Sequence, residues 1–210
     1  MIIFIFFSCL SEQVSFAFQI EPLNVQQQVS GLVFDSLPLN LEETTSSAGK
    51  VFSGTCTEAK EVKKDLVSNL HIIGYTFKIN EKIKGFKNKQ GSNEISFKQW
   101  VPTTRDAGYE VGKKYVLFLC PESTLGLTSP VGYLHGKFNI VKDKDNTEVV
   151  TNGLSNKGLS RNLRTKKKIF IYEDKALDEY IDSSSEHGEP IRYEDFIRSV
   201  KHFVKRGHEN

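Results

Sequence analysis

Apolar and polar side chains alternate along "YTFKINEKIK", residues 75–84. The pattern puts Tyr75, Phe77, Ile79 and Ile83 on one face and Thr76, Lys78 and Asn80 on the other. A period of two predicts a half-buried strand. "NEISFKQWV" repeats it, with Ile95 and Phe97 opposite Ser96 and Lys98, and "KVFSGTCTEA" (residues 50–59) gives a further strand ahead of both. "KKYVLFLC" is instead a continuous apolar run, the mark of a strand buried on both faces or of a barrel stave. "YLHGKFNIV" and "TEVVT" predict a hairpin across "KDKDN", whose Asp and Asn supply turn chemistry. Gly- and Pro-bearing segments separate these strands: "KGFKNKQGSN", "PTTRDAGYEVG" and "CPESTLGLTSPVG".

Two segments break the strand pattern. Asn40 precedes "LEETTSSAG" with Glu43 three residues on, which predicts a capping box. Thr44 and the three residues after it are poor helix formers, so this helix has two turns at most, with Gly49 as its stop. "IRYEDFIRSVKHFVKRG" carries Tyr193, Phe196, Ile197, Val200, Phe203 and Val204 at helical spacing. Acidic Glu194 and Asp195 open it, basic Lys201, Lys205 and Arg206 close it, and Gly207 ends it, all in accord with the helix dipole. Short strands without long intervening helices predict a mainly β fold, a small barrel or sandwich with a leading helix and a C-terminal helix.

Composition narrows the class. Apolar residues make up 38% and charged residues 26% of the 210, which excludes a disordered chain and a polytopic membrane protein. A net charge of +2 gives no global pull toward nucleic acid. The opening "MIIFIFFSCLSEQVSFAF" reads as a secretory signal over residues 1–18: an apolar run, then Ser15 and Ala17 at the −3 and −1 positions of a cleavage site. No basic residue precedes that run; a buried N-terminal strand and a lipoprotein signal at Cys9 are the alternatives. The run is too short to span a bilayer, so the mature form is expected to have no transmembrane segment and to be secreted or periplasmic. The chain then divides into a lead-in (19–36), a β-barrel domain (37–155), a basic loop and linker (156–190) and the C-terminal helix (191–207).

Three motifs in order, "VFSGTC", "YTFKINEKIKG" and "YEVGKKYVLFL", resemble the netrin-like modules, OB-type barrels also found in tissue inhibitors of metalloproteinases. That family shows a strand ending in Lys-Gly and then a Gly-Lys-x-Tyr strand. "VGKKYVLFLCPESTLGLTSPVG" with "GKFNIV" is similar to a group of secreted bacterial proteins of unknown function. The resemblance covers residues 37–155 and implies an OB-like barrel and export. It implies no activity, because the N-terminal Cys-x-Cys with which such inhibitors bind zinc is missing, as is their multi-disulfide framework. Loss of Cys9 with the signal leaves Cys56 and Cys120. An oxidising compartment favours one disulfide between them, the alternative being two buried thiols. In an OB-type barrel their strands, the first and fourth, would be neighbours.

Candidate sites are few. "LGLTSPVGYLHGKF" combines flexible backbone at Gly132 with polar Thr128, Ser129 and His135, so it reads either as a binding loop at the barrel mouth or as a cover for the barrel end. A Ser129–His135 hydrolase is the catalytic alternative, without a GxSxG elbow or a nearby acid. The five histidines show no H-x-x-x-H pair, so neither metal nor other cofactor is expected. The basic run with Lys157, Arg161, Arg164, Lys166, Lys167 and Lys168 suits an anionic envelope polymer or a lipid headgroup, or is a solvated loop. Phe86, Phe97 and Trp100 stand among Lys84, Lys87, Lys89 and Lys98, a composition that suits single strands of nucleic acid, but export argues against nucleic acid as partner. The expectation is therefore an exported, non-catalytic binding or interaction module of the bacterial envelope, with an envelope protein or anionic polymer as partner.

Overall fold

The computed structural model of the chain describes residues 39–64, 71–86, 92–101, 108–161 and 188–207. All lie within one compact unit, Leu37–Asn210. Residues 1–18, the lead-in and Lys166, Lys167 and Lys168 lie outside the described residues.

Helix α1 (Leu41–Ser47) precedes strands β1 (Lys50–Lys64), β2 (His71–Lys84), β3 (Glu94–Val101), β4 (Lys114–Leu119), β5 (Lys137–Lys142) and β6 (Glu148–Asn152). A two-residue strand β7 (Ile191–Arg192) leads into helix α2 (Tyr193–Arg206). The strands form one antiparallel sheet in the order β3-β2-β1-β4-β5-β6-β7. No helix among the described residues is long and apolar enough to cross a membrane.

Each face of the sheet carries a core. Strand β4 shows why its run is unbroken: Val116 and Phe118 face one cluster, while Tyr115, Leu117 and Leu119 face the other. The first cluster lies under both helices. Phe196, Ile197, Val200 and Phe203 of α2 pack there with Phe118, Phe138 and Val150, and α1 adds Leu41. The second is aromatic, with Phe52, Tyr75, Phe77, Phe97, Tyr109 and Tyr115 all buried. Its rings meet edge to face, as Tyr75 on Tyr109 at 4.7 Å, or stacked, as Phe77 on Phe97 at 5.7 Å. Both arrangements suit the ring quadrupole.

Helix α1 has the capping box that its sequence predicts. Glu43 N–H donates to Asn40 Oδ1 at 2.8 Å, and Asn40 N–H donates to Glu43 Oε2 at 3.0 Å. Thr44 and Thr45 are poor helix formers, yet both are buried, and their hydroxyls donate to the carbonyls of Asn40 and Leu41. The stop at Gly49 has another cause than a left-handed cap. Extended Ala48 caps the helix. Gly49 is needed because a Cβ there would stand 2.9 Å from Pro121 N. Lys84 closes the helix end, donating from Nζ to the carbonyls of Thr45 (2.7 Å) and Ser46 (3.0 Å).

Two expectations are corrected. Ile83 does not share the face of Tyr75, Phe77 and Ile79; it packs against the helix-side cluster, whereas Ile79 lies in the aromatic one. The β1–β2 register passes from Gly54↔Ile79 to Ser53↔Glu81, so Asn80 is an extra residue and the facing reverses after it; a second shift, from Phe52↔Lys82 to Val51↔Lys84, leaves Ile83 itself as an extra residue. The second correction is the disulfide. Cys56 and Cys120 are free thiols. Strands β1 and β4 are neighbours, but Cys56 N–H bonds Lys113 O at one end of their ladder, and Cys120 lies one residue beyond Lys50↔Leu119 at the other. Seven residues of strand separate them, roughly 23 Å at strand rise, against the ~7 Å limit for a bridge.

Candidate functional site

The loop from β4 to β5, residues 120–136, carries the candidate polar groups Thr128, Ser129 and His135. It is stitched down at both ends. Thr128 N–H donates to Lys98 O at 2.9 Å, and the Thr128 hydroxyl donates to Cys120 O at 2.7 Å. Cys120 N–H donates to Ser129 O at 2.9 Å. The segment thus forms a parallel bridge to β3 (Lys98↔Leu127) and an antiparallel bridge to β4 (Leu119↔Pro130). Sequence reading treats this stretch as turn punctuation; its backbone in fact continues the hydrogen bonding of the sheet.

His135 is 3% exposed. Its Nδ1–H donates to Gly132 O at 2.9 Å, and its Nε2 is buried without a hydrogen-bond partner among the described residues. Gly132 has φ +57°, and a Cβ there would press on the imidazole at 2.9 Å. Gly132 and His135 are therefore one structural unit, a tight turn sealed by an imidazole. Ser129 is half-buried and bonded through its carbonyl to Cys120. No hydrogen bond joins Ser129 to His135 among the described residues. Of the four predicted loop residues, Thr128 with Ser129 and Gly132 with His135 come together as pairs that hold backbone.

The aromatic core opens beside this loop into a cleft of about 490 Å3, lined by Tyr109, Glu110, Tyr115, Leu134, Lys137 and Asn139, among others. Lys137 Nζ donates to Gly108 O at 2.6 Å and stands 5.4 Å and 5.9 Å from the centroids of Tyr109 and Tyr115. At these distances the ring faces attract the ammonium. Burial governs the phenols: the Tyr75 pKa is pushed up to about 12, Tyr109 lies well above its ordinary value, and Tyr115 is raised less. Each loses hydration that its phenolate would need. Tyr109 comes from a stretch that reads as pure turn, "PTTRDAGYEVG". Only its aromatic character, isolated among polar residues, could have marked it as core.

Phe86, Phe97 and Trp100 do not form one aromatic-basic surface. Phe97 faces inward and Phe86 packs edge-on to Phe52 at 6.3 Å, while Trp100 alone is exposed. Lys84 is engaged with the α1 carbonyls, and burial lowers its pKa. Lys87 and Lys89 lie outside the described residues.

A feature without a sequence motif fixes the far end of the sheet. Asn152 Oδ1 accepts from the N–H groups of Leu154 and Asn156, and Asn156 Oδ1 accepts from Asn152 N–H. Asn156 Nδ2 donates to Val150 O and Glu189 O, tying the turn after β6 to the approach of β7. No family model matches the chain, and neither does any curated protein.

Proposed function

We propose that the protein is an exported, non-catalytic binding module of the bacterial envelope, built on an OB-type barrel of the netrin-like kind. Strand order supports the barrel: β3-β2-β1-β4-β5 is what results when a five-stranded OB-type barrel is opened between its third and fifth strands. The motifs behind the resemblance have physical reasons here. Lys84 caps α1, and Gly85, at φ +81°, lets the chain turn where a Cβ would overlap Gly49 O. Gly112, at φ +86°, donates its N–H to Cys56 O at 2.7 Å and starts β4, and the Tyr115 hydroxyl then accepts from Glu110 N–H at 2.9 Å.

One observation carries the functional part. The loop side chains of reactive type, Thr128 and His135, donate to main-chain carbonyls. The Nε2 of His135, the nitrogen left able to take a proton, is itself buried, whereas a general base needs hydrogen-bond reach to a substrate proton. Export rests on the signal pattern of residues 1–18. The partner is an envelope protein or an anionic polymer. The test is fractionation of cells expressing the full chain with a C-terminal tag, with intact mass measured on the product. The expected species lies in the envelope or medium and begins at Phe18 or Gln19. A chain beginning at Met1 and confined to the cytosol would overturn the reading, as would ester or amide hydrolysis abolished by Ser129→Ala.

A further inference from the structure

Strands β1, β2 and β3 run past the end of β4. The β1–β4 ladder stops at Thr55↔Lys114, whereas the β1–β2 ladder continues to Lys64↔His71. This three-stranded arm has an outward face of its own. Residues directly opposite one another in neighbouring strands share a face, so the register gives its rows. Trp100 stands beside Ile72 and Lys63, Lys98 beside Gly74 and Lys60, and Ser96 beside Thr76 and Glu58. With no side chain at Gly74, a hollow of about 330 Å3 opens, walled by Lys60, Val62 and Lys98 and, from the β4–β5 loop, by Glu122 and Gly126. A Cβ on Gly74 would come within 3.1 Å of Val62 Cγ2.

Three properties meet on this face. Trp100 is 46% exposed although it sits within a strand. Lys60, Lys63 and Lys98 are exposed and make no ion pair among the described residues, whereas Glu122 is neutralised by Lys50 at 2.6 Å. The Thr76 and Ser96 hydroxyls lie 3.1 Å apart, and Thr76 reaches Glu58 Oε2 at 3.5 Å, so a hydroxyl and carboxylate cluster borders the hollow.

We propose that this face binds a strand of acidic polysaccharide. The indole of Trp100 offers a flat apolar platform for the C–H face of a sugar ring. The hollow over Gly74 holds a ring or its substituent. The three lysines meet carboxylates or sulfates, and Glu58, Thr76 and Ser96 exchange hydrogen bonds with ring hydroxyls. A nucleic-acid strand fits less well. Successive bases call for several exposed aromatics, whereas among the described residues of this face Trp100 is the one. The inference rests on the binding-module reading and names its ligand class.

Trp100 is the single tryptophan of the chain, so intrinsic fluorescence reads the site directly. The full chain is titrated with oligogalacturonate and with a heparin fragment. A saturable change in emission that weakens with salt is expected from at least one of them. Lys98→Gln and Lys60→Gln should each weaken it about tenfold, as loss of a charge-assisted contact does, while Val111→Ala, at an exposed position outside the three strands and the hollow, leaves it unchanged. Methyl-esterified oligogalacturonate, which lacks the charge, should leave emission unaltered. Silence with both acidic glycans overturns the proposal, and so does tighter binding of oligodeoxythymidylate. Neither result bears on export, which fractionation measures separately.

Discussion

Replacing Phe196 by alanine removes the ring that joins α2 to the sheet. Phe196 is 1% exposed, with its centroid 4.6 Å from that of Phe138 and 6.2 Å from that of Phe118. Both neighbours are fully buried strand residues, so the site cannot collapse without moving backbone. A Phe-to-Ala change in such a core costs about 3–5 kcal/mol, the transfer of the ring plus the cavity left behind. For a domain of this size each kcal/mol moves the Tm by roughly 2–4 °C, so a fall on the order of 10 °C is expected. Lys205→Ala is the control. Lys205 is exposed in the last turn of the same helix, and its loss should stay within about 0.5 kcal/mol. Urea unfolding monitored by circular dichroism gives both values, with the m-value as a check that the unfolded states are alike. Equal, small effects of the two substitutions would refute the docking of α2 and, with it, the helix-side core.

The same geometry sets three other outcomes. Burial raises the folded-state pKa of Tyr75 to about 12 and raises Tyr109, Tyr115 and Tyr193. The neutral phenols are thus favoured by the fold, and their stabilisation is complete below the unfolded value of about 10 and lost as pH rises toward 12. Tyr75 alone contributes up to about 3 kcal/mol; urea titrations at pH 8 and pH 11.5 should differ clearly, and equal midpoints would contradict the buried cluster. Gly85→Ala combines a left-handed φ of +81° with overlap on Gly49 O, so it should destabilise by at least about 2 kcal/mol; a wild-type Tm would show that the Lys84-Gly85 turn is built differently. Cys56 is buried, and its thiol pKa is raised by that burial, whereas Cys120 is partly exposed. Mass spectrometry after native alkylation should therefore find Cys120 modified first and Cys56 only on unfolding, and a bridged pair would refute the β1–β4 register.

Strands and helices were legible because their periodicities are local. The alternation at Tyr75, Phe77 and Ile79, the double-sided run of β4 and the apolar stripe of α2 each need only neighbours in sequence to be read. Facing beyond Asn80 was not, since a bulge is a property of the pairing of two strands and leaves no trace in either one alone. The cysteine pairing failed for a related reason: adjacency of strands could be anticipated, but register decides which residues meet. Tyr109 and the Asn152–Asn156 turn stayed hidden because polar sequence around them reads as loop, while their burial is set by distant chain. The site divides the same way. The loop residues Thr128, Ser129, Gly132 and His135 could be picked out by type, but that their polar groups hold backbone depends on geometry. The outward face of the arm needed Gly74, Trp100 and three lysines from three strands, which only register brings together.

The central claim is that the protein acts as a binding module in the envelope through the outward face of β1, β2 and β3. A photo-crosslinking amino acid at position 100, with position 111 as control, tests it in living cells that express the full chain. Irradiation should give, from position 100 alone, envelope-associated adducts of heterogeneous high mass that polysaccharide-degrading enzymes collapse to the size of the monomer. Adducts of the same kind and yield from both positions, or a protein confined to the cytosol without such adducts, would contradict it.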